Sequence, residues 1–142
     1  MKKLLSLVLV VTLFAAGCGK NNQQVVCTSS ATTNGMTIEQ KYVLDYAGEG
    51  ISNVEVNKSY AFDKDDAFKS FGTVIDNTIS NMTGVENDYI KFESSEKGKK
   101  YTTTLTVDMN KITDEELTTL GLNKNLKEFR TTLEDQGLTC KW

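Results

Sequence analysis

The sequence predicts an α+β domain: a mainly antiparallel, twisted β-sheet with helices packed on one face. Two observations carry that expectation. Long stretches alternate apolar and polar residues with period two, while others space their apolar residues by three and four. Their order is strands, helix, strands, helices and a short terminal strand, with no βαβ alternation that would demand a parallel sheet.

The elements follow along the chain. Lys2 and Lys3 precede an apolar run from Leu4 to Ala16, broken only by Ser6 and Thr12, and then Gly17 and Cys18. Charged, apolar and small residues in that order make a secretory signal peptide. The run is thirteen residues, whereas a bilayer-spanning helix needs roughly 20. Its end, Ala15-Ala16-Gly17-Cys18, resembles the lipobox of bacterial lipoproteins, in which the cysteine after a small residue receives a diacylglyceryl group before cleavage. Ala15 stands where that pattern usually has a branched aliphatic residue, so ordinary signal-peptidase cleavage and a retained membrane helix remain alternatives. The chain therefore divides into a signal peptide at 1–17, a lipidated N-terminus and short tether at 18–24, and a single domain at 25–142. The expected location is the cell membrane, lipid-anchored and facing the outside of the cytoplasm, with the membrane itself as a partner through the lipid.

Within the domain, Val25 to Ser29 reads as a short strand and Ser30 to Gly35 as a polar turn region. Met36, Ile38, Tyr42, Leu44 and Tyr46 then share one parity, and after Gly48-Glu49-Gly50 so do Val54, Val56, Tyr60 and Phe62. Two such strands form a hairpin. Because both apolar rows must face one side, a loop at Gly48 to Gly50 pairs Leu44 with Val54, Tyr42 with Val56 and Ile38 with Tyr60. Gln40 and Lys58, the polar breaks in the two rows, then fall opposite each other, unless a bulge near the glycines shifts the register.

From Asp63 the period changes. Phe68, Phe71, Ile75, Ile79 and Met82 mark an amphipathic helix, with Asp63, Asp65 and Asp66 at its positive N-terminal end and Gly84 beyond its last turn. Tyr89 to Ser94 and Tyr101 to Met109 form a second hairpin around Lys97-Gly98, with Ile90 paired to Leu105. Thr113-Asp114-Glu115-Glu116 has capping-box spacing and opens a short helix to Leu120, which Gly121 interrupts. Leu122, Leu126, Phe129 and Leu133 make a last helix ended by Gly137, and Leu138 to Trp142 is extended.

The residue inventory excludes much chemistry. There is no histidine, hence neither the commonest general base nor the commonest transition-metal ligand. No phosphate loop or dinucleotide fingerprint is present. Asp63-Lys64-Asp65-Asp66 lacks the glycine and the distant glutamate of a calcium loop, and these acids are better read as helix-start charges. The sequence thus yields no catalytic residue, no metal ligand and no cofactor. Loss of Lys2 and Lys3 takes the net charge from −3 to −5, which argues against nucleic acid as a partner. Gln40 and Lys58 remain as a polar pair on an otherwise apolar sheet face; a lysine with its stem packed and its ammonium in water explains them without a function.

With Cys18 carrying lipid, two of the three cysteines remain, Cys27 and Cys140, each in a short segment at one end of the domain. Export places them where a disulfide persists, and a Cys27–Cys140 bond is expected; two free buried thiols are the alternative.

Taken together, the lipobox cysteine, Val26-Cys27-Thr28, the strand Thr104-Leu105-Thr106-Val107-Asp108-Met109 and Gly137-Leu138-Thr139-Cys140-Lys141 resemble the YehR-like bacterial lipoproteins over nearly all of the chain behind the signal peptide. The resemblance implies a small α+β lipoprotein domain and brings no catalytic or binding residues with it. The functional expectation is a non-enzymatic binding or envelope-associated module, with an envelope protein as a further possible partner. A carboxylate-based envelope hydrolase and a small-ligand-binding accessory of a transporter are the alternatives.

Overall fold

The period-two segments pair into one six-stranded antiparallel sheet in a computed structural model that describes residues 23–142. The segments read above as a signal peptide and a lipobox, with Cys18, lie outside the described residues. Strands β1 (Gln23–Thr33), β2 (Met36–Ala47) and β3 (Gly50–Phe62) form a meander, followed by helix α1 (Asp65–Thr83). The hairpin β4 (Ile90–Lys97) and β5 (Lys100–Asp108), helices α2 (Asp114–Leu120) and α3 (Leu126–Asp135), and strand β6 (Thr139–Lys141) complete the chain. The sheet order is β4-β5-β3-β2-β1-β6.

The first hairpin corrects the sequence reading. β1 already includes Gln23 and Gln24, assigned above to the tether, and runs on to Thr33 through residues assigned to a turn region. Only Asn34-Gly35 turns. Both have positive φ, 52° and 76°, the requirement of a two-residue type I′ loop, which Asn-Gly meets at least cost. The hydroxyl-rich segment Ser29 to Thr33 is strand because β2 supplies its backbone partners, and β-branched Thr32 hydrogen-bonds across to Thr37 at 2.9 Å.

β2 and β3 adopt the register that parity requires: Leu44 opposite Val54, Tyr42 opposite Val56, Gln40 opposite Lys58 and Ile38 opposite Tyr60. The register shifts at Asp45/Tyr46, where Ser52 is the extra residue, so that Tyr46 pairs with Ile51 and the loop shortens to Gly48-Glu49. This bulge turns Ile51, of the opposite parity to Val54, onto the same buried face. In the second hairpin Ile90 pairs with Val107 and Phe92 with Leu105, not Ile90 with Leu105. The loop is Gly98-Lys99 instead of Lys97-Gly98, because glycine takes the first loop position at φ 61°. A two-residue slip leaves every side chain on its original face, so apolar patterning alone does not detect it.

Helix α2 starts with the capping box: Thr113 accepts from the Glu116 backbone at 3.2 Å, and Glu116 accepts from that of Thr113 at 2.9 Å. Gly121 ends it in the left-handed conformation, φ 67°. Helix α3 begins later than predicted. Asn125 caps it, and Leu122 lies in the connection, packed against the core. The connection is tied to the β2–β3 loop by Ile51 N–H to Lys124 O and Leu126 N–H to Glu49 O, both 2.9 Å.

Two apolar clusters form on the same sheet face. In the larger, Leu117 of α2 and Leu126, Phe129 and Leu133 of α3 cover Val25, Leu44, Val54 and Val107. In the smaller, Phe68, Phe71 and Ile75 of α1 cover Phe62 and Tyr101. Tyr101 stacks on Phe68 with centroids 4.4 Å apart. Gly72 permits that approach, since a Cβ there would stand 3.0 Å from the tyrosine oxygen.

At the β1 edge Cys27 and Cys140 are register partners, bonded as a disulfide with Cα atoms 3.9 Å apart. β6 has three residues, and the covalent bond compensates for so short a ladder. The cysteines are 113 positions apart, and closing a loop of roughly 100 residues is worth up to about 4.7 kcal/mol in the chain-entropy model. Replacing both cysteines by serine is expected to lower the urea midpoint by a loss of that order or somewhat less. Thiol counting on denatured, unreduced protein provides the check: two reactive thiols from Cys27 and Cys140 would show that the bond does not form.

Candidate functional site

Strand alternation places a row of polar residues between the two clusters. Ser29, Gln40, Lys58, Thr103 and Ser94 are successive register partners across five strands and form one polar row on the helix-covered face. The row above it contributes Cys27, Tyr42, Val56 and Leu105 to the larger cluster, and the row below contributes Tyr60 and Tyr101 to the smaller. The Gln40–Lys58 pair singled out in the sequence is thus the centre of a longer feature. Ser29 stands in no apolar run whose interruption would have marked it, whereas Thr103 breaks the row Tyr101, Leu105, Val107 and Met109 as Lys58 breaks its own, a signal the sequence offered.

Above this row is a cleft of about 190 Å³. Lys58 and Thr103 line it from the row, with Tyr42, Val56 and Leu105 beside them on the sheet. Met82 closes it from the end of α1, and Thr119, Leu120 and Leu122 from the end of α2 and the segment beyond. Thr103 is buried, 7% exposed, and Lys58 is half-buried. Among the described residues Lys58 has neither an ion-pair partner nor a side-chain hydrogen bond; the ion pair found there is Arg130–Glu134. Burial without a counter-charge pushes the Lys58 ammonium below the usual lysine range. Burial raises the Tyr42 hydroxyl, helped by nearby Tyr60, and burial likewise raises that of Tyr60.

The opposite, polar face carries an open groove of about 650 Å³ lined by Thr28, Glu39, Lys41, Asn57, Ser59 and Thr102 among others. Gln40 and Lys58 border it too, although parity turns their side chains toward the helices. Within it Ser59 donates to Glu39 at 3.5 Å, and Asn57 is held by neighbours outside the groove, accepting from Thr104 at 2.8 Å and donating to Glu55 at 2.7 Å.

The carboxylates considered in the sequence are used structurally. Asp65 and Asp66 occupy the first turn of α1, and Asp114, Glu115 and Glu116 that of α2. The Thr113 backbone N–H lowers the Glu116 carboxyl, and Tyr89 and Asn87, donating at 3.0 and 3.2 Å, act in the same direction. Among the described residues no group of three His, Cys, Asp or Glu side chains gathers to hold a metal ion, and no helix is long and apolar enough to cross a membrane. Trp142, read only as part of an extended tail, is 66% exposed; its ring meets Tyr46 edge-on at 5.6 Å and lies under the Arg130 guanidinium at 4.5 Å.

No family model and no curated protein sequence matches this chain. The likeness is found among solved structures. The NMR structure of the Escherichia coli YehR protein superposes with a TM-score of 0.52 at 15% identity, covering 85% of this chain and 93% of that one. The chain has a YehR-like fold. An NMR structure of a protein from Streptococcus pneumoniae TIGR4 gives a TM-score of 0.51 at 11% identity, covering 87% and 88% of the two chains. At such identities the likeness to YehR concerns the fold alone.

The lowered Lys58 pKa has a definite sign for stability. In the unfolded chain the lysine keeps its proton up to about the ordinary value of 10.5, whereas folded Lys58 releases it earlier. Folding is therefore penalised while Lys58 is charged, and stability from this group rises as pH passes from the folded value toward 10.5. Lys58→Met is expected to exceed the parent in thermal stability at neutral pH by a margin that narrows as pH rises through that window. The tyrosines are common to both proteins and cancel in the difference. A margin independent of pH would show that the ammonium is fully hydrated in the fold.

Proposed function

We propose that this chain is an exported bacterial lipoprotein, held to the membrane through lipid on Cys18, whose domain is a non-enzymatic binding or envelope-associated module. The observation that carries the reading is the Cys27–Cys140 disulfide. Such a bond persists in an oxidising compartment, and Lys2, Lys3, the apolar run and Cys18 are the sequence features that would deliver the domain there. The two signals are independent, since one lies in the folded domain and the other precedes it.

The binding half of the reading is supported by what the side chains are free to do. Histidine is absent, Glu116 completes a capping box, and Asp65, Asp66, Asp114 and Glu115 lie in first helical turns, where the helix dipole favours acids. A carboxylate-based hydrolase would need two acids converging in one cleft; the cleft over Lys58 is lined by none, while Glu49 shares one surface depression with Glu128 and another with Glu134, carboxylates that already accept from Asn123 and Arg130. That cleft instead joins an apolar wall to a few polar groups, the composition of a small-ligand site.

Cells expressing the parent chain and Cys18→Ser, fed an alkyne fatty acid, test the anchor. Label is expected on the parent alone, with the variant released from the membrane fraction. Retention of an unlabelled variant in the membrane would mean that the apolar segment itself is the anchor.

A further inference from the structure

We propose that the cleft over the polar row binds an aliphatic monocarboxylate of about six to eight non-hydrogen atoms, with the carboxylate on Lys58 and the hydrocarbon against Met82, Leu105, Leu120 and Leu122. The inference deepens the binding-module reading and rests on it, but it is independent of the lipid anchor.

The origin of the cleft is geometric. α1 covers one apolar cluster and α2 with α3 covers the other. The row between them meets the ends of two helices, Met82 on α1 and Leu120 on α2. Lys58 is the sole charged side chain in the lining, and every wall facing it is apolar or carries a hydroxyl. A half-buried ammonium with no anion among the described residues is an unmet electrostatic demand, and a charge-assisted hydrogen bond to a carboxylate meets it. Thr103, the register partner of Lys58, and Tyr42, one row above, bring hydroxyls to the same cleft. They can serve the carboxylate oxygens that Lys58 leaves unpaired.

Size and charge narrow the class. A dry cavity of about 150 Å³ accommodates benzene, so about 190 Å³ suits a ligand slightly larger, such as hexanoate. A dianion would bring a second charge with no cation in the lining to meet it, and an amine would be repelled by Lys58. A neutral alcohol fills the apolar part but leaves the ammonium unpaired.

The methionines supply the measurement. Met82 lines the cleft, whereas Met36 packs in the α1 cluster and Met109 in the larger core. Protein carrying methyl-labelled methionine, purified from membranes into phospholipid nanodiscs, is titrated by NMR with hexanoate, hexanol, hexylamine and decanoate. Hexanoate is expected to shift the Met82 methyl saturably and leave Met36 and Met109 in place. Hexanol should bind about tenfold more weakly or worse, hexylamine should not bind, and decanoate should gain nothing over hexanoate. Lys58→Gln should erase the preference for hexanoate over hexanol, with unmoved Met36 and Met109 signals reporting an intact fold. Equal binding of hexanol and hexanoate to the parent would overturn the carboxylate assignment while leaving the binding reading in place. No Met82 shift with any compound, or all three methionines moving together as in partition onto lipid, would overturn the cleft as a site.

Discussion

The pairing of β3 with both neighbours is the constraint on which the rest depends. Val54, Val56 and Phe62 must leave water on one side of that strand, and each one-residue slip against β2 or β5 would turn them out. At about 25 cal/mol per Å² of apolar surface, exposing even two such side chains costs several kcal/mol, a large share of a domain's net stability. Once the register is held, Gln40, Lys58 and Thr103 have no choice but to align. The polar row is therefore a consequence of packing its apolar neighbours.

The ends of the sheet solve a different problem. β4 is an edge strand rich in charge, with Lys91, Glu93, Glu96 and Lys97 exposed, which discourages further strand pairing. At the other edge β6 covers only Val26 to Thr28 of β1. So few backbone hydrogen bonds would fray, and the Cys27–Cys140 bond holds them by restricting the unfolded chain. The same bond fixes Leu138 where it joins the core beneath α3, so edge and core are stapled together.

Between these constraints the helices leave a gap. α1 is drawn to the aromatic cluster by the Tyr101–Phe68 stack and the space that Gly72 provides. α2 and α3 are held at the opposite end by the aliphatic cluster and by the hydrogen bonds of Lys124 and Leu126 to the β2–β3 hairpin. The ends of the two helix groups, Met82 and Leu120, stand over Lys58 with the cleft between them.

Much of this was legible in local pattern. Alternation in Met36 to Phe62 determined the β2–β3 register, three- and four-residue spacing determined α1, and the Thr113–Glu116 capping box determined the start of α2. These features depend on residues close in sequence, or on two strands joined by a short loop, where side-chain direction follows from parity. The extension of β1 to Thr33, the bulge at Ser52 and the two-residue shift of the β4–β5 hairpin were decided by backbone partners and turn geometry, to which apolar patterning is blind. The candidate site divides in the same way. The sequence by itself determined that Gln40 and Lys58 interrupt an apolar face; only the tertiary structure decided that β5 would pair with β3, bring Thr103 beside Lys58 and leave the helix ends apart, because those contacts join residues whose separation along the chain carries no periodic signal.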